Sequence, residues 1–421
     1  MVAAMSTSPA PEGPAKPNAR PQTLLQYLKD WTVRVKSGET GVLPVLGGLL
    51  LLAVVFQTLN ANFLTPGNLV NLGVQGAVYM LFSVGMIFVL LIGEIDLSIG
   101  FIGGVAGVTM AELVFPSMGW PWYAALGAGL LASTAIGVLN GVIITAIGLP
   151  SFIVTLAGLL AWNGVMLIIL GNGGTVPIND DTINNLANGL ISPTMSWVVM
   201  AVVVALFLMD MVLTQRRRRK AGNVSVPLVL VGLRALGIVA AGIGVVALCN
   251  IDRGRLVPIQ GVPWVLLIVL GFITLWNIVL TRTRFGTYVY AIGGNSEAVR
   301  RAGVAVNRVK VAVFAIAGFM GGVAGIIYAS RLRSVSTNLD GGTLVLYCIA
   351  AAVIGGTSLF GGRGKAIHAL LGGLVIASID NGMGLLGLSA ATRYVVTGLV
   401  LILAVTIDAL ASRGRANSGL S

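Results

Sequence analysis

Few side chains able to do chemistry interrupt this sequence. Glu94, Asp96 and Ser98 stand two residues apart between apolar runs, Glu112 and Asn163 lie inside later runs, and Asp380 is followed by Asn381 and Gly382 two-thirds along another. Carboxylates and amides in apolar surroundings can hydrogen-bond the hydroxyls of a polar substrate or carry protons. Asp96 or Ser98 is equally well placed to cap a helix that starts there. An Asn-Gly pair tends to break a helix, which would leave Asp380 in need of a partner or a watery cavity. The candidates for a substrate path are therefore Glu94, Asp96, Ser98, Asn163, Asp380 and Asn381. No catalytic or metal centre is expected. There is one histidine, His368, and the two cysteines, Cys249 and Cys348, are far apart in apolar stretches, as buried small hydrophobes would be.

A second constellation occupies residues 282–309. It gathers Arg284, Gly286, Tyr288, Tyr290, Gly293, Gly294, Asn295, Glu297, Arg300 and Gly303. Asn295 or Ser296 is a good N-cap, Glu297 suits the first turn of a helix, and Gly303 supplies a stop after about two turns. A short capped helix with exposed arginine and tyrosine suits docking of a soluble partner, and it equally suits an ordered interfacial loop. The Gly-Lys pair at 364–365 fails as a phosphate loop, because Leu359 and Ala366 stand where glycine and Ser/Thr are needed. ATP, if used, must be bound by another chain.

The elements that must position these residues follow from composition. Of 421 residues, 56% are hydrophobic and 10% charged, against about 25% charged in soluble domains. This excludes a soluble enzyme, a disulfide scaffold and a disordered chain. A bilayer core near 30 Å needs about 20 apolar residues per helix. Twelve runs qualify, near 42–59, 71–92, 98–115, 122–147, 151–171, 196–214, 228–250, 264–281, 310–330, 343–360, 366–388 and 392–411. The fold class is an all-α integral membrane protein with about twelve transmembrane helices. Residues 42–411 form the transmembrane domain and 282–309 a cytoplasmic loop. Residues 1–41 form a cytoplasmic N-terminal tail, with an amphipathic surface helix at 22–36 after a Pro- and Ala-rich start, and 412–421 form a cytoplasmic C-terminal tail. Residues 172–195 make a polar external loop.

Charge tests this count. With twelve spans and both termini in the cytoplasm, 20 of the 26 Lys and Arg fall inside and five outside. Arg234 lies deepest in a run, yet early enough to snorkel, while Lys310 and Arg393 stand at the very ends of theirs. The formal charge of +12 thus records orientation and argues for no nucleic-acid partner. Two octets, at 100–107 and 318–325, match at seven of eight positions, and Ile136-Gly137 matches Ile354-Gly355 at the same offset. Both octets open spans of the same direction, as two related parallel halves would have it, and both are rich in small-xxx-small pairs.

Several blocks together resemble the permeases of monosaccharide ABC importers, and the resemblance covers nearly the whole chain. Phe285-Gly286, then Tyr290 through Asn295, is similar to their ATPase-coupling segment. Glu94 through Gly100, Pro150 through Gly158, Gly355 through Leu359, and Asp380 through Met383 resemble further family blocks in the family's order. Glu94, the Pro150–Gly158 run and the extra pair of helices around Arg216–Lys220 look most like the xylose-transport branch. Two departures stand out: Glu94 replaces a family glycine, and Arg363 through His368 replaces small residues. The resemblance implies a homodimer in the bacterial inner membrane, served by a cytoplasmic ATPase with two nucleotide-binding cassettes and an external sugar-binding protein. It also implies no cofactor and no enzymatic activity of the chain's own, with membrane lipid as the surroundings. A proton-coupled secondary transporter is the rival reading, since Glu94, Asp96, Glu112 and Asp380 could carry protons. Against it, no Lys or Arg occurs from residue 71 to 115, so the turn between the second and third runs is acidic. A related permease for nucleosides or branched-chain amino acids is a further alternative.

Overall fold

A computed structural model describes residues 43–220, 227–254, 256–337 and 339–417. The expected amphipathic helix at 22–36 and the tail before it lie outside the described residues. The described residues form fourteen α-helices and four very short strands. The first five helices are α1 (Leu43–Leu59), α2 (Pro66–Leu91), α3 (Ile99–Val114), α4 (Trp122–Ile147) and α5 (Ser151–Leu170). There follow β1 (Thr175–Pro177), α6 (Asp181–Asn188), β2 (Leu190–Ile191), α7 (Pro193–Lys220) and α8 (Leu228–Asn250). The chain continues through β3 (Val262–Pro263), α9 (Trp264–Arg282), α10 (Arg284–Arg301), α11 (Val306–Leu332) and β4 (Ser334–Ser336). It closes with α12 (Gly341–Ile354), α13 (Ile367–Leu385) and α14 (Ala390–Asn417). The protein is all-α, as its apolar runs require.

Helices α2, α4, α5, α7, α8, α9, α11 and α13 are long and apolar enough to cross a bilayer. The remaining apolar windows hold the shorter helices α1, α3, α12 and the first part of α14. The run expected at 343–360 is corrected here: its helix ends at Ile354. Gly356, Gly361 and Gly362 then take positive φ values of 109°, 87° and 72°, a left-handed backbone that no helix continues. At about 1.5 Å per residue, α12 (14 residues) reaches roughly 21 Å and α3 (16 residues) roughly 24 Å, both short of the bilayer core. At the other extreme, α14 runs past residue 411 to Asn417.

The chain divides into two compact units. The described part of one comprises residues 197–220 and 227–245, mostly from α7 and α8. There a Cβ on Gly242 would lie 3.1 Å from Val204 and 3.2 Å from Met200, so the glycine lets the two helices approach closely. Arg234 is exposed on α8.

The other unit holds everything else and has α11 and α2 at its heart. Helix α2 is buried without a gap from Gly76 to Leu91, as a helix apolar on all sides should be. Helix α11 packs on α2, α3 and α4. The two octets of the internal repeat meet face to face. A Cβ on Gly325 would lie 2.0 Å from the carbonyl oxygen of Gly103, and one on Gly103 would lie 2.6 Å from that of Gly321. Ile99 faces Gly321 and Gly107 faces Gly325 and Ala329, so the contacts advance together and the helices run parallel. Small residues here allow backbone-to-backbone packing where lipid removes the usual hydrophobic incentive.

Contacts between connections sort this unit into two ends. At one, Gly362 N–H donates to Leu91 O (2.9 Å), Tyr290 Oη–H to Gly364 O (2.7 Å), and Ile95 N–H to Ser151 Oγ (3.2 Å). At the other, β1 pairs with β4 and β2 with β3, both antiparallel, and Asn60 Nδ2 donates to Leu385 O (3.0 Å). Residues 172–195 are therefore more ordered than a polar loop: besides the two strands they contain α6, capped where Asp180 Oδ1 accepts from Ile183 N–H (3.0 Å).

Candidate functional site

Helix α13 carries Asp380, and here the sequence expectation is corrected. The helix runs unbroken through Asp380, Asn381 and Gly382. Gly382 serves close approach instead of a break: a Cβ there would come within 2.4 Å of the Phe56 ring on α1. Asp380 finds its partners on α2, accepting from Tyr79 Oη–H (2.7 Å) and from Gln75 Nε2–H. Beside it, Asn68 Nδ2 donates to Asn381 Oδ1 (2.8 Å). Tyr79 also meets Tyr347 of α12 edge to face, with ring centroids 5.2 Å apart. A narrow crevice beside the carboxylate is lined by Tyr347, Ile376, Ile379, Asp380, Thr397 and Val400. A carboxylate, three amides and two aromatic rings are the groups that hydrogen-bond and stack on a hydroxyl-rich molecule.

Sequence reasoning missed Asn68, Gln75, Tyr79 and Tyr347. A signal was present for three of them: Asn68, Gln75 and Tyr79 recur at spacings of seven and four, one face of a helix, in a mostly apolar run that also holds Asn71.

The segment between α2 and α3 holds the other path candidates. Gly93 turns the chain out of α2 with φ of 76°. Glu94 then pairs with Lys310 of α11, both side chains mostly buried. Asp96 has no exposed surface, and its Oδ1 accepts from Ser98 N–H (2.8 Å) and Ser98 Oγ–H (2.6 Å). Ser98 takes the N-cap position of α3 but makes no side-chain cap bond there; the Asp96 side chain instead holds Ser98 in place. Asn140 Nδ2 on α4 donates to Ser98 Oγ (3.0 Å). Asp380 and Asp96 are thus in separate clusters. Asn163 is half-buried on α5, which packs on α3 and α4; Glu112 is half-buried near the far end of α3.

Residues 282–309 are nearly all helical, more ordered than the expected loop. Thr283 Oγ1 accepts from Gly286 N–H (3.1 Å) and caps a first helical stretch beyond the one short helix expected from the sequence. Asn295 (φ −159°, ψ 95°) interrupts it, and its Oδ1 accepts from Ala298 N–H (2.9 Å), starting the expected short second stretch. Gly303, at φ of 83°, follows its end. One face of α10 looks into the bundle. A Cβ on Gly286 would lie 2.1 Å from Leu280 O, and one on Gly293 would lie 1.8 Å from Leu91 O and 2.4 Å from Gly362 N. Burial raises the Tyr290 phenol above its ordinary value, so it stays protonated as the donor to Gly364 O. The opposite face exposes Arg284, Tyr288, Gly294, Asn295, Glu297, Arg300 and Arg301. Glu297 bonds Arg301 at 3.2 Å on this exposed face, which contributes little to stability.

Comparison with known proteins places this architecture. A family profile described as branched-chain amino acid transport system, permease component, matches residues 68–405. The xylose transport system permease protein of Escherichia coli (strain K12) is 36% identical over 90% of this chain and 94% of its own length. The ribose import permease protein of Escherichia coli (strain K12) is 30% identical over 91% and 95%. That of Bacillus subtilis (strain 168) is 32% identical over 87% and 94%. No solved structure matches. With a profile match across residues 68–405 and full-length similarity of this kind, the chain belongs to the permease family so described, among its ribose- and xylose-type members.

Proposed function

We propose that this chain is the transmembrane subunit of a bacterial ABC importer that brings in a monosaccharide, a pentose such as xylose, at the cost of ATP hydrolysed by a partner. The observation that carries this reading is the seat of Gly293. There α10 lies in backbone contact with both the end of α2 at Leu91 and the turn after α12 at Gly362, while its other face is open. A partner closing on Arg284, Tyr288, Gly294, Asn295, Glu297, Arg300 and Arg301 would move Gly286, Tyr290 and Gly293. Through them it would move the two non-helical segments that lead into α3 and α13. Energy enters there, and the chain needs no ATP site of its own.

In this reading α10 faces the cytoplasm, both termini lie on that side, and the chain crosses the inner membrane about twelve times, the short helices α3 and α12 completing their crossings with the non-helical segments next to them. Two copies stand together, an ATPase with two cassettes docks below and a sugar-binding protein above. Asp380 and Asn381 line the path from the outer side, and Asp96 with Ser98 lies at its inner end. Glu94 acts on the path through Lys310.

The test is reconstitution in liposomes with the cognate ATPase and binding protein. Sugar uptake and ATP hydrolysis are measured against a panel of pentoses and hexoses, with and without a protonophore. Uptake that needs the ATPase, survives the protonophore and is greatest with a pentose is expected. Uptake that is indifferent to the ATPase and abolished by the protonophore would establish a proton-coupled carrier instead.

A further inference from the structure

Two buried polar atoms at the start of α3 have no partner among the described residues: the carboxylate oxygen Asp96 Oδ2 and the indole nitrogen Trp162 Nε1. Both belong to one neighbourhood. Asp96 Oδ1 is bonded to Ser98, and Ser98 Cβ and Trp162 Nε1 both flank Gly158. A Cβ added at Gly158 would sit 3.2 Å from the first and 3.1 Å from the second. Gly158, one turn before Trp162 on α5, therefore keeps clear the space into which the indole folds toward Ser98. The rest of the neighbourhood is polar and already engaged. Asn140 Nδ2 donates to Ser98 Oγ, and Thr155 Oγ1 to Ser151 O (2.9 Å).

An unmet acceptor and an unmet donor are each unfavourable when buried. They specify what relieves them. A metal cation would satisfy Asp96 but face the indole N–H and the amino end of α3, both positive. An anion would suit the N–H groups but meet the carboxylate. A group that donates and accepts at once fits both, and a hydroxyl is such a group.

We propose that Asp96, Ser98 and Trp162 form an occluded site for one hydroxyl of the transported sugar, which donates to Asp96 Oδ2 and accepts from Trp162 Nε1–H. This rests on the sugar-importer reading above. Asp96 has no exposed surface, so the site opens only when the 92–98 segment moves. That segment is held by Glu94 to Lys310 and, through Leu91, by Gly362 and Gly293 of the coupling face. Displacement of α10 by the ATPase is then what exposes the site to a sugar descending the path.

The experiment is a chemical double-mutant cycle in reconstituted liposomes, with ATPase and saturating loaded binding protein. Initial uptake of the preferred sugar and of its single-deoxy analogues is compared in the wild type, Asp96→Asn and Trp162→Phe. Asparagine keeps an acceptor for Ser98 N–H and puts an amide NH₂ in place of the free oxygen; phenylalanine keeps an aromatic ring and loses the donor. Each variant is expected to slow uptake of the full sugar about tenfold or more. For one deoxy analogue, already slow in the wild type, the variants should add less than twofold. If every analogue loses as much in the variants as the parent sugar does, the two residues hold water or only brace the start of α3, and the site is refuted while the importer stands. If no sugar drives uptake in the wild type, the importer reading itself falls. Should Asp96→Asn fail to insert, Trp162→Phe decides alone.

Discussion

Lys310 on α11 reaches back to Glu94, in the turn between α2 and α3, and ties the two halves of the internal repeat together by an ion pair. Their side chains are 22% and 17% exposed. Such a pair lies between the surface case, worth about 0–1 kcal/mol, and the buried case, where removing one partner costs about 3–5 kcal/mol. We expect Lys310→Met and Glu94→Gln each to destabilise the purified permease by roughly 1–3 kcal/mol. The double variant should be no worse than either alone. Thermal unfolding in detergent reads this, and additive losses would show that the two charges do not depend on each other.

The adjacent glycines of α10 face different surroundings. A Cβ on Gly293 would collide with Leu91 O at 1.8 Å, whereas nothing lies within 4 Å of one on Gly294. Gly294→Trp should therefore insert and melt like the wild type yet abolish sugar-stimulated ATP hydrolysis. Gly293→Ala should lower the melting temperature as well, by unseating α10. Normal stimulated hydrolysis in Gly294→Trp would remove the coupling role from this face.

How much of this was legible beforehand depends on the range of the interaction. Apolar runs set the helices, and the local cap at Asn295 could be read from residue type, because a cap acts over two or three residues. What could not be read was long-range. Asn381-Gly382 has the residues of a helix break, but Phe56, more than 300 residues earlier, supplies the reason for the glycine. Glu94 had the look of a free carboxylate only because Lys310 is 216 positions away. Asp380 likewise found its partners on α2. The early end of α12 was legible in Gly355-Gly356-Thr357-Ser358, which interrupt the run before Leu359 and Phe360.

Asp380 is held by two side chains from α2, so its environment can be dissected one bond at a time. Tyr79→Phe removes a hydrogen bond to a carboxylate while preserving the edge-to-face contact with Tyr347. A bond of this class is worth about 1.5–3 kcal/mol. If Asp380 lines the path, sugar uptake in the reconstituted system should fall at least tenfold in Asp380→Asn. In Tyr79→Phe it should fall less, because Gln75 still orients the carboxylate. Asp380→Asn with full uptake and only a lowered melting temperature would make this a structural cluster.

The repeat interface offers a test of packing with an internal control. At Gly325 a Cβ would be driven to 2.0 Å from the Gly103 carbonyl oxygen, which is backbone and cannot rotate away. At Gly127, in the apolar helix α4, nothing lies within 4 Å. Both changes to alanine add one methyl group to a helix, so propensity favours each by the same few tenths to about 1 kcal/mol. The difference between them therefore isolates the approach of α3 to α11. Gly325→Ala should destabilise by about 1–3 kcal/mol or more through overpacking, and Gly127→Ala should be neutral or slightly stabilising. Matched melting curves in detergent provide the measurement. Equal effects at the two sites would mean that the parallel octets are not in the backbone contact that makes them the seam of the fold.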